Sequence, residues 1–277
     1  MIVFCGGELV AEEHATISIH DRGFLFSDAV FETALLYRGG FFRLRQHLER
    51  FAGSARTMRI PAPSVDAVDD IVRAVVRSNQ LRDADIRITL SRGVGTPSLL
   101  VTARPADPTR LERTRAGWSV ITAHTRRPSI RSIPAQLKAV GRTYALLARH
   151  EASDAGVDDV LLLTDDDYVC EGPTWNVFWR TDAVLYTPAL AAGVLAGVTR
   201  AIILELAPAH GFHVREGLFH RKTLDEAHEI FATMTSAGIV AIRSLDGRAL
   251  TADSPAADTL HAAYRDRLAA EAALDPV

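Results

Sequence analysis

The sequence predicts a mixed α/β (α+β) fold in two parts, a small N-terminal α/β domain over residues 1–124 and a larger domain over 125–277. Three observations predict it. Short apolar runs flank glycine pairs at Gly6-Gly7 and Gly39-Gly40, as strands do around a tight turn where glycine supplies positive φ. Segments with helical apolar spacing interrupt those strands. Two polar, proline-containing stretches, 103–115 and 125–134, then mark the passage from one domain to the next.

Taken in order, residues 2–4 and 8–10 form the first hairpin, and 31–37 with 41–43 form the second. Leu44, Leu48, Phe51 and Ala55 fall on one face of a helix over 44–58. Ser64 caps a helix over 65–81 that turns Val68, Ile71, Val72, Val75 and Val76 inward. Residues 86–91 and 99–102 are strands. The second part opens with a helix over 141–153, followed by a hairpin of 160–163 and 168–170 around Asp165-Asp166-Asp167. Further strands cover 176–180, 183–186, 213–215, 229–235 and 239–244, with helices at 198–210 and 255–273.

With 31 basic and 34 acidic residues, net charge −3 and 48% hydrophobic content, the chain has the make-up of a globular protein. The mildly acidic balance, without a Lys/Arg block, excludes the electrostatic footprint of nucleic-acid binding. The N-terminus lacks a basic leader and no apolar run is long enough to span a bilayer, so the expected location is the cytoplasm, with no membrane partner. Cys5 and Cys170 make no C-x-x-C pair and are expected as buried, reduced thiols. His210-x-x-His213 has no third ligand at a compelling spacing, so no metal is expected.

Only Lys138 and Lys222 are lysines, so chemistry that needs a primary amine has two addresses. Lys138 stands among Leu137, Ala139 and Val140 without a carboxylate within four residues, a setting that either desolvates a nucleophilic amine or holds a structural lysine. Lys222, beside His220, Arg221, Asp225 and Glu226, is expected at the surface. Glu171 closes an apolar strand and requires a donor, either a ring nitrogen of a ligand or one of the 29 arginines. Residues 188–200 form a small-residue loop feeding an apolar helix, either an anion site or a simple connection capped by Thr199. The hydroxyl-bearing turn 233–238 either completes a phosphate cup or caps a bend. No G-x-S-x-G, H-E-x-x-H or G-x-x-x-x-G-K-[ST] is present.

Five motifs in order resemble those of the class IV, fold-type IV pyridoxal-phosphate aminotransferases. This family includes branched-chain and D-amino-acid aminotransferases and 4-amino-4-deoxychorismate lyase. Residues 21–32, DRGFLFSDAVFE, resemble D-R-G-x-x-x-G-D-G-x-F-E, with Ser27 and Ala29 at two customary glycines. Residues 43–51 resemble the R-x-x-x-H-L-x-R-L helix. Lys138 falls at the Schiff-base lysine, residues 171–178 match E-G-x-x-x-N-x-F, and 195–200 match L-x-G-[IV]-T-R.

The resemblance implies a small N-terminal domain and a larger one with a pseudo-barrel sheet and flanking helices. It implies pyridoxal 5'-phosphate as cofactor, with Lys138 as the catalytic amine and Glu171 at the pyridine nitrogen. Arg50, the amides of Val198 and Thr199, Thr235 and Ser236 would hold the phosphate. Branched-chain members place a tyrosine five residues after the lysine. Here that is Thr143, flanked by Arg142 and Tyr144, and the partner of the cofactor's phenolic oxygen stays open among them. Arg87 and Arg92 fall where the family carries substrate-carboxylate arginines, or else they pack the domain. The implied activity is transfer of an amino group from an amino acid to a 2-oxo acid through a Lys138 Schiff base, by a homodimer. The alternatives are a lyase that releases pyruvate and 4-aminobenzoate, and a protein that binds the cofactor without turnover.

Overall fold

The computed structural model describes residues 1–106, 116–250 and 255–277, so most of the polar 103–115 stretch lies outside the described residues. The chain divides into two compact units. One comprises Met1–Asp107, Leu137–Gly141 and Arg267–Val277, the other Pro108–Gln136 and Arg142–Asp266.

The first unit carries a six-stranded antiparallel sheet in the order β2-β1-β6-β5-β3-β4, with β1 Ile2–Cys5, β2 Glu8–Ala11, β3 Ala29–Tyr37, β4 Gly40–Phe42, β5 Ala84–Val94 and β6 Thr96–Pro105. Gly6 and Gly7, at φ +66° and +96°, make the two-residue turn that brings Cys5 opposite Glu8. Alternation along β3 and β5 sends Val30, Ala34, Ile86, Ile88 and Leu90 to one face. There they meet α2 (Leu44–Thr57) through Leu44, Leu48, Phe51 and Ala55, and α3 (Val65–Ser78) through Val68, Val72, Val75 and Val76. Each such fully buried side chain contributes roughly 1.5–3 kcal/mol.

Three local features differ from expectation. Helix α3 ends at Ser78 because Asn79 turns its amide onto Ile2, accepting from the Ile2 N–H at 2.7 Å and donating to the Ile2 carbonyl at 2.6 Å. The strands expected over 86–91 and 99–102 are longer than that and meet in a tight hairpin turn, with Val94 opposite Thr96. A short helix, α1 (Arg22–Phe26), precedes β3. Asp21 caps it by accepting from the Gly23 and Phe24 amides, and Ser27 closes it at φ 56°. That left-handed position favours glycine, which accounts for the customary glycine there.

The second unit holds an eight-stranded mixed sheet. Its strands are β7 Trp118–Thr122, β8 Asp159–Leu161, β9 Asn176–Thr181, β10 Val184–Pro188, β11 His213–Gly217, β12 Glu229–Met234, β13 Gly238–Leu245 and β14 Arg248–Ala249. The order is β11-β10-β9-β12-β13-β7-β8, with β14 on β13. Helices α4 (Thr143–Ala155), α5 (Val198–Leu206) and α6 (Pro255–Leu274) complete the described helices, the last eight residues of α6 counting with the first unit. Val177, Trp179, Ile230, Ala232, Val240 and Ile242 centre its core. Helix α5 is shorter than the predicted 198–210, because Pro208 lacks an N–H and starts a separate 3-10 turn. The predicted 160–170 hairpin is present as a short antiparallel pairing, with Leu163 opposite Val169 and Leu162 exchanging backbone hydrogen bonds with Cys170 and Glu171, although only Asp159–Leu161 forms a regular strand. Both cysteines are buried and free. Among the described residues no helix is long and apolar enough to cross a membrane.

Candidate functional site

In the first unit, residues 137–141 lie along β3. The Phe31 amide donates to the Lys138 carbonyl at 3.0 Å, the Val140 amide to Ala29 at 2.9 Å, and the Lys138 amide to Ser54 Oγ on α2 at 3.1 Å. Lys138 is thus fixed by its own backbone, and its ammonium stands 4.7 Å from the centre of the Phe31 ring. The Arg87 guanidinium lies 3.5 Å from the centre of that ring, so Lys138 and Arg87 both approach Phe31. Lys222 is exposed in a 3-10 turn.

Behind the lysine strand is a buried polar cluster that the sequence did not reveal. Glu32 sits fully buried on the helix-packed face of β3. Arg50 meets it in a two-pronged contact, Nε to Oε2 and Nη2 to Oε1, both at 2.8 Å. His47 Nδ1 lies 3.3 Å from Oε1, and the Thr33 amide donates to the same oxygen at 2.8 Å. Positions 47, 50 and 54 form one stripe of α2, so a single helix face supplies His47 and Arg50 to Glu32 and Ser54 to Lys138. Burial acts to raise the Glu32 pKa, but Arg50, His47 and Lys138 together hold it far below the usual carboxylate range. Burial lowers the pKa of His47, outweighing the opposing pull of Glu32.

Arg92 is committed elsewhere. It pairs with Asp28, Nε to Oδ2 at 2.6 Å, and donates to the carbonyls of Met58 and Arg59 at the end of α2.

In the second unit, Glu171 is buried and accepts from three directions: the Leu195 amide at 2.8 Å, Asn176 Nδ2 at 3.3 Å and Arg127 Nε at 3.3 Å. The guanidinium of Arg127, itself buried, lies 5.0 Å over the Tyr144 ring, and Arg142 Nε donates to Tyr144 Oη at 3.2 Å. Of the three candidates at 142–144, Tyr144 faces the Glu171 group through Arg127, while Thr143 is exposed. The 195–200 loop passes beside Asn176, whose Oδ1 would lie 2.1 Å from a Cβ at position 197, so only glycine fits there. Helix α5 starts at Val198 with no side-chain cap, and Val198 and Thr199 are buried in its first turn. Thr235 and Ser236 form the half-buried turn between β12 and β13.

A polar anionic ring cofactor fits these features. An uncapped helix N-terminus is a ready phosphate site. Arg127 Nη1 and Thr233 Oγ1 are buried without a protein partner, and Glu171 offers a buried carboxylate to a ring nitrogen.

Comparison with known proteins gives the family. Residues 29–245 match the class IV amino-transferase family. The branched-chain-amino-acid aminotransferase of Escherichia coli K12 is 30% identical over 262 residues, covering 88% of this chain and 85% of that one. The crystal structure of the branched-chain aminotransferase of Thermoproteus uzoniensis with norvaline superposes with a TM-score of 0.92 at 28% identity, over 98% of this chain and 96% of that chain. The T.th. branched-chain amino acid aminotransferase complexed with N-(5'-phosphopyridoxyl)-L-glutamate gives 0.89 at 28% identity, over 96% and 93%. The fold is therefore that of the fold-type IV enzymes, and the relatives do not favour a lyase. The chain belongs to the class IV aminotransferases, pyridoxal-phosphate-dependent enzymes that move an amino group between small amino acids and 2-oxo acids.

Proposed function

We propose that this aminotransferase uses Lys138 as its catalytic amine and takes a branched-chain amino acid as donor and a 2-oxo acid as acceptor. The observation that carries this is the lysine's setting: a backbone pinned to β3 and α2, with the ammonium against the Phe31 ring that Arg87 also approaches. The names of the relatives support the substrate class. When bound, pyridoxal phosphate supplies an electron sink for charge that develops at the substrate's α-carbon. Lys138 would hold the cofactor through its amine and, once that amine is free, would carry a proton to or from the substrate's α-carbon. Glu171, held by Leu195, Asn176 and Arg127, keeps a proton on the ring nitrogen. The Val198 and Thr199 amides, Thr235 and Ser236 would hold phosphate, and Arg50, its plane set by Glu32, would add a positive charge for it. Tyr144, supported by Arg142, would face the cofactor's phenolic oxygen. Arg87 takes the substrate carboxylate; Arg92 stays with packing.

Incubation of the cofactor-loaded protein with a panel of L- and D-amino acids, without acceptor, tests the proposal. One equivalent of branched 2-oxo acid per chain is expected from leucine, valine or isoleucine. Oxo acid from other donors only would remove the substrate class, and none from any donor would remove the activity.

The protein is further proposed to be a homodimer working in the cytoplasm. Ile17, Ile19, Phe24, Leu25 and Phe26 all lie at the surface of the first unit, Phe24 at 66% and Ile19 at 71% exposure, and apolar surface of this extent calls for a covering partner. Sedimentation at micromolar concentration is expected to give twice the 30.2 kDa chain mass, and Phe24→Asp to give the single chain. A fully active wild-type monomer would refute the assembly.

A further inference from the structure

Behind Glu171, the turn Gly172-Pro173-Thr174-Trp175 leads to Asn176 and is closed by the Gly172 amide donating to the Trp175 carbonyl at 2.8 Å. The Trp175 indole is 3% exposed and presses on Gly172 so closely that a Cβ there would fall 1.9 Å from its Cε2. Its Nε1–H donates to Asp159 Oδ2 on β8 at 3.0 Å. Asp159 is 4% exposed; its Oδ1 accepts from the Val160 amide at 2.9 Å. Arg149 on α4 stands 3.8 Å from Asp159 Oδ2 and donates to Thr174 Oγ1 at 3.1 Å. Trp118 packs edge-on against the indole with ring centres 6.2 Å apart.

We infer that Trp175 and Asp159 are positioning residues for Glu171. The indole is a wedge whose height under Gly172 sets where the Glu171 backbone lies, and Asp159 fixes the wedge by its only polar atom. Packing alone does not call for the indole's polar contact with Asp159, since an apolar ring needs no acceptor. A buried carboxylate held by one indole, one amide and an arginine at 3.8 Å carries a desolvation cost that an apolar pair would not. Burial pushes the Asp159 carboxyl up from its ordinary value, in keeping with so sparse a set of partners.

The inference rests on Glu171 meeting the cofactor's ring nitrogen, so its test carries a control for that. Pyridoxamine phosphate labelled with 15N in the ring is bound to wild type and to Glu171→Gln, Trp175→Phe, Asp159→Ala, Asp159→Asn and Trp175→Phe/Glu171→Gln. The ring-nitrogen shift against pH and the Kd by calorimetry are read. Glu171→Gln is expected to lose the protonated-nitrogen signal near neutral pH. Trp175→Phe and Asp159→Ala should lower the pH at which that proton is lost and weaken binding about three- to tenfold, the scale of one hydrogen bond. Asp159→Asn, whose single amide oxygen can accept from the indole at the cost of the Val160 contact, should restore part of both. In the Glu171→Gln background, Trp175→Phe should add nothing. Wild-type shift and Kd in Trp175→Phe and Asp159→Ala, with Glu171→Gln altered, would overturn the positioning role alone. An unaltered Glu171→Gln would overturn the ring-nitrogen contact and this inference with it. If Trp175→Phe does not fold, Asp159→Ala against Asp159→Asn makes the same comparison with the indole in place.

Discussion

Lys138→Ala is expected to lower turnover by about 10⁴-fold or more, because it removes both a nucleophile and a proton carrier. The fold should survive. Lys138 is held by its amide on Ser54 Oγ and its carbonyl on the Phe31 amide, contacts that alanine keeps. The substitution removes the ammonium's attraction for the Glu32 carboxylate, but Arg50, His47 and the Thr33 amide stay in place to hold that charge. The thermal midpoint should therefore stay within a few degrees of wild type, a change of roughly 1 kcal/mol. Borohydride treatment of the loaded protein followed by peptide mapping gives the complementary result. With only two lysines in the chain, cofactor mass is expected on the Lys138 peptide and absent from the Lys222 peptide. Label on Lys222, or an alanine variant that turns over normally, would remove Lys138 from the chemistry.

What could be read from the sequence follows the range of the interactions involved. The Gly6-Gly7 turn, the Ser64 cap and the helical stripe Leu44, Leu48, Phe51, Ala55 are local features, and the structure has all of them. Lys138 stood out for a local reason too, its apolar neighbours and the scarcity of other amines. The cluster at Glu32 was not legible. Its members come from a strand and from a helix fifteen and eighteen residues further on, and among 34 acidic and 29 arginine residues spacing alone cannot select a pair. The same holds for Arg92 with Asp28 and for Trp175 with Asp159, which meet only when sheets assemble. Helix α1 escaped because five residues carry too little periodicity, although Asp21 ahead of Gly23 was a cap signal that could have found it.

Glu32 also carries the largest expected effect on stability. Its carboxylate lies at the face where β3 packs on α2, and the charge is tolerated there because Arg50, His47 and the Thr33 amide surround it. Removing one partner of such a buried pair strands the other, at about 3–5 kcal/mol. Glu32→Ala should therefore lower the thermal midpoint by roughly 10 °C. Glu32→Gln, which keeps the shape and one acceptor, should fall between the two. The pH dependence has a definite sign. The folded-state pKa is depressed, so the carboxylate's contribution is fully present above its unfolded value near 4.5 and is lost as pH falls further toward the folded pKa. Urea unfolding of the first unit should show the gap between wild type and Glu32→Gln constant from pH 7 to 5 and narrowing below 4.5. A gap of unchanged size at pH 3.5, or no gap at pH 7, would mean that the charge on Glu32 does not stabilise the fold. Because Glu32 also sets the plane of Arg50, the glutamine variant should bind inorganic phosphate and pyridoxal phosphate more weakly at pH 7, while Arg50→Lys, which cannot reproduce the two-pronged contact, should weaken both as well.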